Sequence, residues 1–274
     1  MKVRNCFVLA LTVLALLVLP AAAHAGQSQP PSEPQAPAPA ESDISLFQQI
    51  LQAADSASRL ALVEKFLAAH PQSPYRGHVM VAAAEAHRMQ NNFEKAIEMG
   101  DKALAVDPGN AVALLLVAES LSEGSKPEQA DFQERLSKAQ DYSQRALQAI
   151  PLLFTPERRS AAVSPEEFDL REDFFESMAH ATIGFVHYRR EELPAAEQEL
   201  KLATDLNQLR PNAVDFDRLG IVQLRQKKFD LARDSFQRCV DVGGPAADTC
   251  GRRLEMLEQM VEQDKAKQPE QPQE

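Results

Sequence analysis

An all-α protein built from repeated helix pairs is what this sequence predicts, on three observations. The stretch from Asp43 to about Val261 is rich in Ala, Leu, Glu and Gln, with few glycines and no tryptophan, a composition that favours helix. No run of alternating β-branched residues argues for a strand. The same stretch also resembles itself: "FEKAIEMGDKALAVDPGN" (93–110) and "LSKAQDYSQRALQAIP" (136–151) both give alanine, six residues, alanine, four residues, proline.

Residues 1–25, "MKVRNCFVLALTVLALLVLPAAAHA", have the three regions of a secretory signal peptide. Lys2 and Arg4 come first, an apolar run from Phe7 to Leu19 follows, and Ala23 and Ala25 frame an A-x-A cleavage pattern. The run is shorter than the ~20 residues a spanning helix needs, so an uncleaved membrane anchor is the lesser alternative. Cys6 precedes the apolar run, the wrong side for a lipid-modified cysteine at a cleavage site. The expected product is exported, periplasmic or secreted. Loss of Lys2 and Arg4 takes the formal charge from -11 to -13, which argues against nucleic acid and anionic lipid as partners and leaves a protein or peptide. Residues 26–42 follow as a linker with five prolines in 26–41 and no large apolar side chain, unable to offset the entropy of ordering. Residues 264–274 read as a polar tail for the same reason.

Between these ends, 43–263, the alanine pattern recurs. Ala96, Ala103 and Pro108 match Ala139, Ala146 and Pro151, then Ala196, Ala203 and a late Pro211, then Ala232 and Cys239 followed by Gly244 and Pro245. Upstream, Phe66, Ala69 and Pro74 stand 34 residues before Gly100, Ala103 and Pro108. Preceding each second helix is a field of large, small-pair and large residues: Met80, Ala83-Ala84, His87; Leu114, Val117-Ala118, Leu121; His180, Ile183-Gly184, His187; Phe216, Leu219-Gly220, Gln223. The small residues Ala84, Ala118, Gly184 and Gly220 fall where paired helices approach most closely. Four such units in order, with a 34-residue period, resemble the tetratricopeptide repeat (TPR) family.

The spacing departs from the period in two places, near 122–135 and near 152–176. In the second, Ser164-Pro165-Glu166-Glu167 is a helix start, with Ser164 as cap and Pro165 at the first helical position. The third unit's first helix is therefore expected to begin early and project. Such insertions are either working loops on one face or plain surface extensions.

"HATIGFVHYRR" (180–190) carries two histidines seven apart. Seven residues separate them by ~10.5 Å along a helix, too far to share an ion directly, and Ile183 and Gly184 between them cannot ligate. His180, His187 and His87 occupy large-residue positions and are expected to pack. G-x-S-x-G, H-E-x-x-H and P-loop patterns are missing, so no enzyme activity, metal or cofactor is expected. Cys239 and Cys250 form either a disulfide, the favoured reading in an oxidising compartment, or a pair in which Cys239 merely replaces the usual alanine. The helix after them, with Leu254, Met256, Leu257 and Met260, should cap the solenoid.

The resemblance implies a right-handed α-solenoid of about four TPR helix pairs, with a degenerate N-terminal pair and a C-terminal capping helix. It implies a concave groove that holds an extended peptide or partner helix. Carried over position by position, the groove would be lined by Val81, Glu85, Arg88, Leu115, Glu119, Met178, Phe185, Tyr188, Arg189, Val214, Asp217, Ile221 and Arg225. Where clamp-type members hold a C-terminal carboxylate with lysine and asparagine, this chain has Val81, Glu85, Leu116, Met178 and Thr182, with only Arg218 positive. Two functions follow as expectations: a non-catalytic scaffold or adaptor in the cell envelope, or an accessory, small-ligand-binding subunit of an exported enzyme system with the 152–176 insert forming part of a pocket.

Overall fold

The computed structural model describes residues 41–267, with side chains to residue 263. The proposed signal peptide and most of the proline-rich linker lie outside the described residues, as do 268–274. Eleven α-helices follow one another with no strand among the described residues: α1 (Asp43–Gln52), α2 (Ser56–Ala69), α3 (Arg76–Met89), α4 (Phe93–Val106), α5 (Ala111–Gly124), α6 (Phe132–Ala149), α7 (Pro165–Arg189), α8 (Leu193–Leu206), α9 (Ala213–Arg225), α10 (Phe229–Val242) and α11 (Ala247–Lys267). Each packs mainly on its neighbours in the chain, with further contacts between first helices, as α3 with α5 and α5 with α7. That is a helical solenoid. Its units are α3–α4, α5–α6, α7–α8 and α9–α10, with α1–α2 leading and α11 closing the far end.

Two kinds of turn produce this order. Helices α5, α7 and α9 begin on side-chain caps, since Asn110, Ser164 and Asn212 accept from the backbone N–H of Ala113, Glu167 and Val214, satisfying donors that a helix start leaves open. Helices α4, α8 and α10 have no such cap. They follow tight reversals in which Asn91, Glu191 and Lys227 take φ of 56°, 64° and 59°. In each reversal two amides turn back on the preceding helix: Asn91 N and Asn92 N donate to the carbonyls of Arg88 and His87, Glu191 N and Glu192 N to Tyr188 and His187, and Lys227 N and Lys228 N to Leu224 and Gln223. This pairing is the Schellman closure, made three times without a glycine.

Small residues set the approach of the paired helices. A Cβ on Gly184 would stand 2.8 Å from Leu200 Cγ and 3.0 Å from the Leu200 backbone N, and one on Gly220 would stand 2.6 Å from the Phe236 ring. Ala84, Ala103, Ala118, Ala139, Ala146, Ala196, Ala203 and Ala232 are buried, as the repeat pattern requires. The largest core runs from Met80 and Val81 through Leu114–Val117, Leu136 and Ile150 to Phe175 and Val186.

The two insertions are ordered differently. α5 runs through residues 122–124, so the first insertion is the loop 125–131. The second holds two short 3₁₀ turns, Ile150–Leu152 and Pro156–Arg158, before α7 starts at Pro165. Phe154 packs on Phe168 and Phe175 with ring centroids 5.2 and 5.7 Å apart, and these rings with Val163 join the main core. At the far end Cys239 of α10 and Cys250 of α11 are joined by a disulfide, Cα to Cα 6.1 Å, both fully buried beside Ala213 and Phe216. α11 extends to Lys267, beyond the boundary at 263 that composition suggested.

Candidate interaction groove

The first helices α3, α5, α7 and α9 carry a row of charged and aromatic side chains. Arg88 Nε of α3 lies 3.3 Å from Glu119 of α5, and another of its nitrogens lies 3.8 Å from Glu123. Glu123 also takes a 2.9 Å hydrogen bond from Arg218 of α9, which lies 3.9 Å from Asp215. The Arg218 guanidinium centres 4.0 Å above the Phe185 ring of α7. Phe185 stacks on Tyr188, with ring centroids 6.1 Å apart and planes at 19°. Arg225 covers Tyr188 at 5.6 Å and pairs with Glu191. Asp217 closes the row through Arg253 of α11 at 3.1 Å.

Burial shapes the electrostatics of this row. Desolvation pushes the carboxyls of Glu119 and Asp215 up to about 7 and about 6, against the pull of Arg88 and Arg218 respectively. Asp217 is raised for the same reason. Glu85 is raised to about 7, first by burial, with Arg59 and Arg88 opposing. Arg59 donates to one Glu85 oxygen at 3.2 Å, while the other oxygen has no hydrogen-bond partner among the described residues.

The structure separates the expected groove residues into three groups. Val81 and Leu115 are 1 % and 0 % exposed and belong to the main core, where α3 meets α5; they correct the carry-over, because no partner reaches them. Glu85, 3 % exposed, is likewise an internal ion pair with α2. Arg189 is partly exposed but tied to the protein itself: its guanidinium donates to the carbonyls of Ser122 and Ser125 at 3.2 and 2.8 Å and lies 5.0 Å from the Phe132 ring and 5.4 Å from the Phe185 ring. These are carbonyls at the end of α5, where the 125–131 loop replaces the glycine-free closure of the other units, so Arg189 serves as a borrowed C-terminal cap. Burial lowers its pKa.

Arg88, Glu119, Met178, Phe185, Tyr188, Asp217 and Ile221 are partly exposed, and Val214 and Arg225 are open to solvent. Arg218, left out of the carried-over list, lies at the centre of the row. Its signal in the sequence was its place two residues after Phe216 on the same helix as Asp217 and Arg225.

His180 and His187 meet carboxylates: His180 Nδ1 lies 2.7 Å from Glu199 of α8, tying α7 to α8, and His187 Nδ1 hydrogen-bonds Glu192 in the turn between them. His87 Nδ1 is buried with no hydrogen-bond partner among the described residues. No group of three or more potential metal ligands occurs among the described residues, and no helix among them is long and apolar enough to cross a membrane.

No protein-family model and no curated protein matches the sequence. Among solved structures, a thermophilic TPR protein from Thermus thermophilus superimposes with a TM-score of 0.54 at 16 % identity, over 79 % of this chain and 98 % of that one. A MamA fragment from Desulfovibrio magneticus RS-1 reaches 0.48 at 13 % identity, over 72 % and 90 %. Identities this low speak to fold alone, and with eleven helices stacked in sequence the chain has the fold of a tetratricopeptide-repeat solenoid.

Proposed function

We propose that the protein is a non-catalytic interaction scaffold of the cell envelope that holds a peptide or partner protein against its concave first-helix face. The observation that carries this reading is the stacked Phe185–Tyr188 pair with Arg225 over its outer ring. Aromatic and arginine side chains are the types most enriched at binding hot spots, the aromatics because a large ring with two rotors removes much area from water. The same first helices carry further apolar side chains that are partly or fully exposed, Met178 on α7 and Val214 and Ile221 on α9. The exported location rests on residues 1–25, with their basic start, apolar run and small-residue cleavage pattern.

The accessory-subunit alternative needs the 152–176 insert to enclose a ligand. Its apolar side chains Phe154, Val163, Phe168 and Phe175 are spent on one another and on the core, which favours the groove.

The test is crosslinking capture from the exported fraction with wild type and a Tyr188→Ala/Arg225→Glu variant. Arg189 stays intact because it caps α5. Circular dichroism first establishes that the variant remains helical. A specific protein captured by wild type and lost by the variant supports the groove; the same protein retained in equal yield overturns it.

A further inference from the structure

A solenoid unit ordinarily touches only its neighbours, yet Arg218 and Glu123 are 95 residues apart and belong to the fourth and second units. α9 packs on α7, α8 and α10, so the bond from Arg218 to Glu123 reaches past the whole third unit. Phe185 of that unit lies beneath it, its centroid 4.0 Å from the guanidinium carbon. The bond is therefore a bridge over an aromatic ring on the face where the proposed function places a partner.

The chemistry of its ends suits a contact that opens. The Arg218 and Glu123 side chains are 19 % and 29 % exposed, neither sealed in the core nor loose on the surface. Each also has a second partner, Asp215 for Arg218 and Arg88 for Glu123, so neither charge would be stranded if they parted. By contrast, Arg59 and Glu85 form a 3.2 Å ion pair with side chains only 3 % and 4 % exposed. That pair is a fixed part of the core.

We propose that Arg218 is a strap: by holding Glu123 across Phe185 it fixes the fourth unit against the second and keeps the concave face closed until a partner segment displaces it. The consequence for partners rests on the groove reading above; the strap itself is tested on the protein alone.

Spin labels at Gln133→Cys on α6 and Asp234→Cys on α10, both exposed positions, report the separation of the second and fourth units. The chain also carries Cys6→Ser, so that the bonded Cys239–Cys250 pair is the only other cysteine. Arg218→Met keeps the stem and removes the charge, and Glu123→Gln keeps the shape. Each is expected to lengthen the mean distance, broaden its distribution and lower the ratio of closed to open states about tenfold, as loss of one charge-assisted bond should. The double variant should add nothing further, since both ends belong to one bond.

Distances unchanged in both single variants overturn the strap. A shift in Arg218→Met alone also overturns it, because stacking on Phe185 would then hold the units. If the distances shift while capture is insensitive to Tyr188→Ala/Arg225→Glu, the strap stands and the groove reading falls. If capture is lost while the distances stay fixed, the groove stands and the strap falls.

Discussion

Replacing Gly184 by alanine tests the helix-pair packing most directly. The new Cβ would lie 2.8 Å from Leu200 Cγ, 3.2 Å from Glu199 Cβ and 3.0 Å from the backbone N of Leu200, against the 3.5–4.0 Å or so at which carbon contacts are attractive. A leucine side chain can swing aside; a backbone nitrogen moves only if α8 moves. Overpacking of this kind costs about 1–3 kcal/mol, and the backbone contact puts it near the upper end. Alanine recovers about 1 kcal/mol of helix propensity, leaving a net loss of about 2 kcal/mol. At roughly 2–4 °C per kcal/mol for a domain of this size, Tm should fall by about 4–8 °C. Gly251 on α11 is the control, because nothing lies within 4 Å of a Cβ there. Gly251→Ala should gain propensity alone, up to about 1 kcal/mol, and raise Tm slightly. Both melts can be followed by far-ultraviolet circular dichroism in one buffer. If Gly184→Ala raises Tm as Gly251→Ala does, the close approach of α7 and α8 is wrong.

The raised carboxyls make stability depend on pH. Glu85 and Glu119 titrate at about 7 when folded against 4.5 as the ordinary value, and Asp215 at about 6 against 3.8. The folded state therefore binds their protons more tightly than the unfolded state, so their contribution grows as pH falls from about 8 towards 4.5 and is lost as pH rises through 6–7. Denaturant midpoints at pH 5.5 and 8 should show this, and Glu85→Gln should shrink the difference; an undiminished difference would sink the assignment. Cys239 and Cys250 close a loop of sequence separation 11, for which chain entropy gives about 3 kcal/mol. Cys250→Ser should therefore lower the urea midpoint, and a variant as stable as wild type would count against the bond. Lys227 holds φ at 59°, a conformation costing a non-glycine residue about 1 kcal/mol. Lys227→Gly should raise the urea midpoint by a corresponding amount, and a fall would show that the reversal is not strained.

What could be read from the sequence follows from where each feature's cause lies. A residue such as Gly184 or Ala196 is small because another helix crosses it, so the repeat spacing of small residues reports the crossings directly, and with them the order of helix pairs. The face that stays open has no such local signature. Val81 and Leu115 sit at groove positions by repeat register, yet their burial depends on how closely α3 and α5 come together, which is set by residues elsewhere on both helices. Arg189 misleads for a sharper reason. It stands next to Tyr188 in a groove position, but the loop at 125–131 leaves α5 without the closure that Asn91, Glu191 and Lys227 give the other first helices, and the carbonyls of Ser122 and Ser125 need donors. The nearest long cation on the next first helix supplies them. An insertion that looks like an added surface loop thus withdraws an arginine from the groove one unit away, and the position next along the face, Arg218, becomes the charge that spans the third unit.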